Sequence, residues 1–146
     1  MPPTKRIGLV SCVKRKLAMP AHAEQLYIST LFKKSREWAM ENCDEWYVLS
    51  AKYGLVRPSE RVEPYENTLK EMSTSARLQW AVRVYRMMGQ AGLLREGVIF
   101  IWLAGRDYKN DLSELLKKYQ QEDPMEHRRM GERLKWLNLA LSVNQK

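Results

Sequence analysis

Residues 46–68 read Trp-Tyr-Val-Leu-Ser-Ala-Lys-Tyr-Gly-Leu-Val-Arg-Pro-Ser-Glu-Arg-Val-Glu-Pro-Tyr-Glu-Asn-Thr, and the rest of the chain is organised around this stretch. Its first four residues are aromatic, aliphatic or β-branched, which favours a β-strand. The residues that follow keep neither a helical period nor a strict alternation, and Gly54, Pro58 and Pro64 favour irregular backbone. Because disordered segments are poor in aromatic residues, Tyr53 and Tyr65 indicate an ordered loop at the carboxyl end of a buried strand. Binding sites of α/β sheets tend to lie at that end.

Two further apolar runs predict strands. Residues 7–10 form a short run, and residues 98–104 form a continuous one that fits a strand buried on both faces, the central strand of a parallel or mixed sheet. Capping residues and apolar spacings of three and four predict four helices, at about residues 30–42, 76–88, 112–121 and 125–141. The predicted fold is a single α/β domain over residues 1–146, with a parallel or mixed central sheet flanked by helices.

Composition narrows the class of protein. A chain of 146 residues suits one domain that buries a core without disulfides or metals. Its net charge of +8 fits either a polyanionic partner or solubility alone. No apolar run reaches the roughly 18 residues of a membrane span, and the first residues lack the form of a signal peptide, so a cytoplasmic protein without membrane contact is expected. Two cysteines and two histidines without metal-ligand spacing predict no disulfide framework, no metal site and no cofactor.

Each of the three predicted strands ends in a polar cluster. Ser11 and Cys12 precede Lys14, Arg15 and Lys16, whose cations and neighbouring backbone N–H groups suit a phosphate or carboxylate; a solvated charge run is the alternative. The second cluster spans residues 50–65, and the third spans residues 104–108. If the strands are neighbours in one sheet, the three clusters lie together at one edge of it.

The second cluster resembles the YaaA family of bacterial peroxide-stress proteins. The shared pattern is Leu-Ser-x-x-Tyr-Gly-x-x-x-Pro at residues 49–58, followed by Pro-Tyr at residues 64–65. The chain is still more similar to a shorter group of bacterial and phage domains of unknown function. With them it shares Ser-Cys-x-Lys-x-Lys at 11–16, Leu-Tyr-x-Ser-x-Leu-Phe at 26–32 and Ser-Ala-Lys-Tyr-Gly-Leu at 50–55. The resemblance implies an α/β fold and a link to nucleic acid.

One hypothesis is an enzyme that excises a modified nucleobase, as a DNA glycosylase does. Loss of a base leaves oxocarbenium-like charge on the sugar, which a carboxylate stabilises. Asp107 is the first candidate and Glu63 the second, because both lie in strand-end clusters. A structural role for Asp107, pairing with Arg106 or Lys109 or capping the next helix, is the alternative.

The remaining predicted site residues bind rather than react. Cations hold phosphates, tyrosines form a platform for a flipped base, and small polar groups hydrogen-bond base edges. The predicted binding residues are Ser11, Cys12, Lys14, Lys16, Ser50, Lys52, Tyr53, Gly54, Pro64, Tyr65, Gly105, Tyr108 and Asn110. Cys12 is also a candidate nucleophile if a neighbouring cation lowers the pKa of its thiol. The alternative is that Cys12 is a buried, inert thiol.

The rival hypothesis is a binding module without chemistry. The same loops would then hold a nucleotide or a nucleic-acid backbone, with DNA favoured over RNA, in a stress or defence response. The two hypotheses differ in whether Asp107 or Glu63 shares a cleft with Tyr53 and Ser11, because a carboxylate opposes phosphate binding unless chemistry uses it.

Overall fold

A computed structural model describes residues 4–11, 18–27, 29–65, 68–126 and 130–144 of the chain. Their strands are β1 (Lys5–Ser11), β2 (Ala21–His22), β3 (Glu45–Ser50), β4 (Gly54–Val56), β5 (Arg61–Val62), β6 (Val98–Leu103) and β7 (Gln120–Glu122). Their helices are α1 (Ala23–Leu26), α2 (Thr30–Asn42), α3 (Thr74–Gln90), α4 (Arg106–Leu115) and α5 (Met130–Asn144), with a short 3₁₀ helix at Leu69–Glu71.

The centre of the protein is a mixed five-stranded sheet in the order β4-β3-β1-β6-β7. β1 pairs in parallel with β3 on one side and with β6 on the other. β7 continues the parallel sheet beside β6, and β4 folds back antiparallel to β3. β2 and β5 form a separate two-stranded antiparallel ribbon. The single α/β domain with a mixed central sheet is therefore confirmed.

The order of the parallel strands makes the fold doubly wound. The chain leaves β1 in one direction to form β3, then crosses back over β1 to form β6 and β7. Because such crossovers are right-handed in about 98% of cases, α2 and α3 cover opposite faces of the sheet. The helix contacts agree, since α2 packs with α5 and α3 packs with α4. The reversal between β1 and β6 is the topological switch point, where ligands of this class of fold bind.

Several local predictions are confirmed. The Ser29 side chain accepts a hydrogen bond from the backbone N of Phe32 at 3.1 Å, so it caps α2, which ends at Asn42 as expected. Gly54 has a φ of +79°, a conformation that glycine adopts without strain. Every residue of β6 is buried, as a strand covered on both faces requires.

Other local predictions are wrong. The helix expected at residues 112–121 instead begins at Arg106, directly after Gly105, and ends at Leu115, because residues 120–122 pair with β6 as an edge strand. The third polar cluster is therefore the first turn of α4 and not a loop. β1, not β6, lies at the centre of the sheet, and the helix expected from residue 125 is described from Met130.

Candidate functional site at the carboxyl edge of the sheet

The carboxyl ends of β1, β3 and β6 lie at one edge of the sheet, as the sequence predicted. At the switch point the backbone N of Gly105 donates to Ser11 Oγ at 3.4 Å, which joins the end of β1 to the start of α4. Gly105 has an ordinary φ of −71°, and a Cβ built on it would meet no atom of the described residues within 4 Å. The space above this residue is therefore open to a ligand.

Trp80 of α3 connects the second and third polar clusters. Its indole N–H donates to the backbone oxygen of Ser50 at 2.8 Å. The ring also lies edge-on to Tyr108, with 5.6 Å between centroids and an angle of 85° between planes. Trp80 is buried while Tyr108 is half-buried. The contact therefore holds the Tyr108 ring in place with part of its surface exposed.

A buried hydroxyl network lies beneath this edge. Ser50, which is 0% exposed, accepts from the backbone N of Tyr53 at 2.9 Å and donates to the Tyr65 hydroxyl at 2.7 Å. The hydroxyls of Tyr65 and Tyr27 are 2.5 Å apart. Either hydroxyl of this pair can be the donor. The network ties the loop after β4 to the end of β3 and gives Ser50 and Tyr65 a structural role.

Asp107 lies in the first turn of α4, where a carboxylate is stabilised by the helix dipole. Its Oδ1 accepts from Arg77 of α3 at 3.0 Å, and the two side chains are 37% and 30% exposed respectively. The partner is thus neither Arg106 nor Lys109, the two that the sequence offered. An ion pair of this exposure stabilises the fold by at most about 1 kcal/mol, yet it fixes the direction of the carboxylate.

Three more cations lie around this edge. Lys109 of α4 pairs with Asp123 at 2.8 Å, and Arg133 of α5 donates to the backbone oxygen of Ala104 at 3.3 Å. The Lys52 ammonium lies 5.3 Å from the centroid of the Tyr53 ring and is exposed. The edge therefore combines positive charge with aromatic surface, the two features that nucleic-acid sites use.

The other predicted site residues are placed less centrally. Glu63 and Asn110 are exposed, and Pro64 is half-buried. The backbone oxygen of Glu63 accepts a long hydrogen bond of 3.3 Å from the Tyr53 hydroxyl. Gly54 is buried against α3, where an added Cβ would lie 2.8 Å from Met87 Sδ, so its position fits a structural role. Cys12, Lys14, Arg15 and Lys16 lie outside the described residues.

Sequence reasoning missed the contributions of Trp80, Arg77 and Tyr27. Trp80 was one apolar position among several on its helix, and the arginine had the pattern of a solvated face. The one signal that marks Tyr27 is the Leu-Tyr-x-Ser-x-Leu-Phe segment at residues 26–32, which the chain shares with the shorter group of domains. All three act through contacts that span 30 or more positions of the chain.

The described residues form neither a candidate metal site nor a membrane-spanning helix. The described part of the chain contains no group of three or more His, Cys, Asp or Glu side chains that could hold a metal ion. Among the same residues, every helix is too short or too polar to span a lipid bilayer. Cys43 is half-buried, and burial raises the pKa of its thiol from 9.0 to about 11, so it stays protonated near neutral pH.

The fold and this edge define a single-domain, doubly wound α/β protein with a candidate ligand site at its topological switch point. Residues 7–139 match a family described as a family of unknown function (DUF6884), and the chain belongs to that family. It is similar to the uncharacterized protein YfjM of Bacillus subtilis (strain 168), with 28% identity over 127 residues and 80% of each chain covered. No solved structure matches the chain at a significant level.

Proposed function

We propose that the carboxyl edge of the sheet binds a nucleotide unit of a nucleic acid, DNA in preference to RNA, and hydrolyses the N-glycosidic bond of a modified base. One observation carries this proposal. A half-exposed carboxylate, Asp107, is held by Arg77 beside the switch point, within one helical turn of an aromatic ring with exposed surface. Base excision needs a carboxylate, an aromatic ring and a segment of backbone that the ligand can approach closely.

The roles follow from the geometry. The open space above Gly105 admits the sugar, and the exposed surface of Tyr108 offers a face to the flipped base. Ser11 Oγ accepts the Gly105 N–H and keeps its own proton to donate to the ligand. Lys52 contacts phosphate from the rim.

Asp107 acts on the sugar. As the bond from C1′ to the base nitrogen breaks, its negative charge stabilises the developing positive charge at C1′. A water oxygen then bonds to C1′, and the proton that water loses balances the proton gained by the departing base. Arg77 keeps the carboxylate aimed at the sugar throughout.

The resemblance to YaaA supports a nucleic-acid substrate and a place in the repair of oxidised bases during peroxide stress. A cytoplasmic location, which the sequence predicts, is also part of this proposal. That the chain is related to the YaaA family is itself part of this proposal. It rests on the segment at residues 49–58 together with Pro64 and Tyr65.

A second function is favoured by the same ion pair. Because Arg77 compensates the charge of Asp107, the carboxylate no longer opposes phosphate binding, and the edge suits a DNA- or nucleotide-binding module without chemistry. In that case Asp107 serves only to orient Arg77 or to stabilise α4.

One experiment separates the two functions. Purified protein is incubated with duplex and single-stranded oligonucleotides that carry oxidised, alkylated or deaminated bases, and released base is measured by mass spectrometry. Release that is lost in Asp107→Asn and retained in Glu114→Gln, an exposed carboxylate two turns further along the same helix, supports excision. Binding of the same oligonucleotides without release of any base supports the binding module.

A further inference from the structure

The hairpin loop between β3 and β4 lies at the same carboxyl edge of the sheet, beside the site proposed above. Ser50 pairs with Gly54 across the hairpin, so the loop consists of Ala51, Lys52 and Tyr53. Gly54, with its φ of +79°, closes this short loop without strain. Ser50 Oγ accepts the backbone N–H of Tyr53 at 2.9 Å and fixes the loop to the end of β3. The loop therefore presents its side chains from a rigid backbone.

The ring of Tyr53 is held in one orientation. It lies edge-on to the buried ring of Tyr65, with 5.4 Å between centroids and 87° between planes. Its hydroxyl donates to the backbone oxygen of Glu63 at 3.3 Å. The ring stays half-buried, and the exposed Lys52 ammonium lies over it at 5.3 Å from the centroid. Because the lysine stem is flexible, the ammonium can leave the ring when a base stacks there.

Arg83 of α3 adds a second cation to the same loop. Its Nη2 donates to the backbone oxygen of Lys52 at 2.9 Å, and its Nε would lie 3.6 Å from a Cβ added to Gly54. The guanidinium thus follows the backbone of the loop and keeps further N–H groups for another acceptor. Within the part of the chain that the structure describes, no ion pair includes Lys52 or Arg83. The two uncompensated charges at one loop suit a phosphate group.

The loop and the site proposed above are two separate points on one edge. Trp80 joins them, because its indole N–H donates to the backbone oxygen of Ser50 and its ring contacts Tyr108. Arg77 contacts the site and Arg83 contacts the loop, and these two residues of α3 lie about 9 Å apart along the helix axis. The two points therefore suit two different nucleotides of one strand.

We propose that the loop at residues 51–53 binds a second nucleotide of the strand and that the substrate is therefore single-stranded. The base stacks on Tyr53, and the phosphate contacts Lys52 and Arg83. In a duplex the faces of each base are covered by its stacked neighbours, so a base becomes available to a second ring only in an unpaired strand. This inference rests on the proposed binding of nucleic acid at the carboxyl edge, and it adds the class of substrate.

The test is fluorescence anisotropy of the whole chain with a labelled single strand of about ten thymidines and with the duplex of that strand, at one ionic strength. The single strand should bind at least about tenfold more tightly than the duplex, because only its bases can stack on Tyr53. Tyr53→Leu should remove most of this preference, whereas Tyr53→Phe, which keeps the ring, should stay within about twofold of the native affinity. The matched control is Tyr119→Leu, since Tyr119 is also half-buried and edge-on to a buried ring but lies just before β7, at the opposite edge.

A second pair of variants tests the phosphate contact. Arg83→Gln should lower the affinity for the single strand at least about fivefold at low salt, because a phosphate loses one of its cations. The control Arg95→Gln removes the same charge from an exposed position before β6, at the amino edge, and should change the affinity less than about twofold. This pair decides the question if Tyr53→Leu does not fold.

Base release is measured on the same preparations, so that the two proposals fail separately. A chain that releases bases but binds duplex and single strand equally would overturn this inference and leave the proposed excision intact. A chain that releases no base but shows the preference that depends on Tyr53 would support the inference without the chemistry. Absence of binding to the single strand, or equal affinities of the native chain and Tyr53→Leu, would overturn it.

Discussion

The guanidinium of Arg77 lies 3.0 Å from the carboxylate of Asp107 and joins α3 to the first turn of α4 at the switch point of the sheet. This contact decides how the two proposed functions are tested. Replacing Asp107 by Asn removes the charge with little change in volume. It should lower turnover in base excision by at least about 100-fold, because the stabilisation of sugar charge is lost.

The same variant should remain folded. Loss of a half-exposed ion pair and of a helix-dipole contact costs at most about 2 kcal/mol together. Turnover and Tm are therefore measured on one preparation, with Glu114→Gln as the control. Unchanged turnover with a lowered Tm would assign Asp107 a structural role, and Glu63→Gln would then be the variant to measure.

Gly105→Ala tests whether a ligand occupies the switch point. The backbone at φ −71° accepts alanine, and the added Cβ meets no atom within 4 Å in the part of the chain that the structure describes, so Tm should stay the same or rise slightly. Ligand binding at the carboxyl edge should fall by at least about tenfold, because the methyl group enters the space assigned to the sugar. Gly92→Ala is unsuitable as a control because of its φ of +75°. Gly131, which also has open space around it, is the matched position. Full binding by Gly105→Ala would move the ligand away from α4.

Ser50→Ala tests the buried hydroxyl network. The change leaves the backbone N of Tyr53 without its side-chain acceptor, and an unsatisfied N–H in this part-buried position costs about 1–3 kcal/mol. At about 2–4 °C per kcal/mol for a chain of this size, Tm should fall by several degrees. Ser75→Ala, at an exposed helical position, should leave Tm unchanged or raise it slightly. Equal Tm values for the two variants would show that the network contributes nothing to stability.

Binding to nucleic acid should depend steeply on salt. With about three phosphate contacts the logarithmic slope is near −2.7, so raising the salt from about 50 to 200 mM weakens binding about 40-fold. Fluorescence anisotropy of a labelled oligonucleotide measures this slope, and Lys52→Gln should reduce it by up to about one unit. Affinity that is flat in salt would point to an uncharged ligand.

Cys43 should react slowly with iodoacetamide. With a pKa of about 11 in place of 9.0, its thiolate fraction at pH 8 is about 100-fold lower than that of an unperturbed thiol. The rate is measured in a Cys12→Ser background, against the same chain in urea. The folded chain keeps this proton while the unfolded chain loses it. Cys43 therefore contributes stability that is complete below pH 9 and is lost as the pH rises through 11. Equal alkylation rates in the folded and unfolded chains would contradict the buried thiol.

The sequence alone determined the three inner strands and that all three end at one edge of the sheet. A continuous apolar run such as residues 98–103 is stable only as a strand covered on both faces. Ser29 caps its helix through a hydrogen bond to a residue only three positions away. These features are local or periodic, so a single sequence contains them. The polar cluster after residue 103 was located correctly, but its backbone conformation was not. Gly105 carries no capping side chain, and the start of α4 depends instead on how the chain packs beyond β6.

Only the tertiary structure decided which side chains contact one another at the site. Arg77 and Asp107 are 30 positions apart, as are Trp80 and Ser50, while Ser11 and Gly105 are separated by 94. In the sequence each of these residues has several plausible partners of the right chemistry, as Asp107 had in Arg106 and Lys109. The crossover of α3 over the sheet selects among them, because it brings one face of that helix against both β3 and α4.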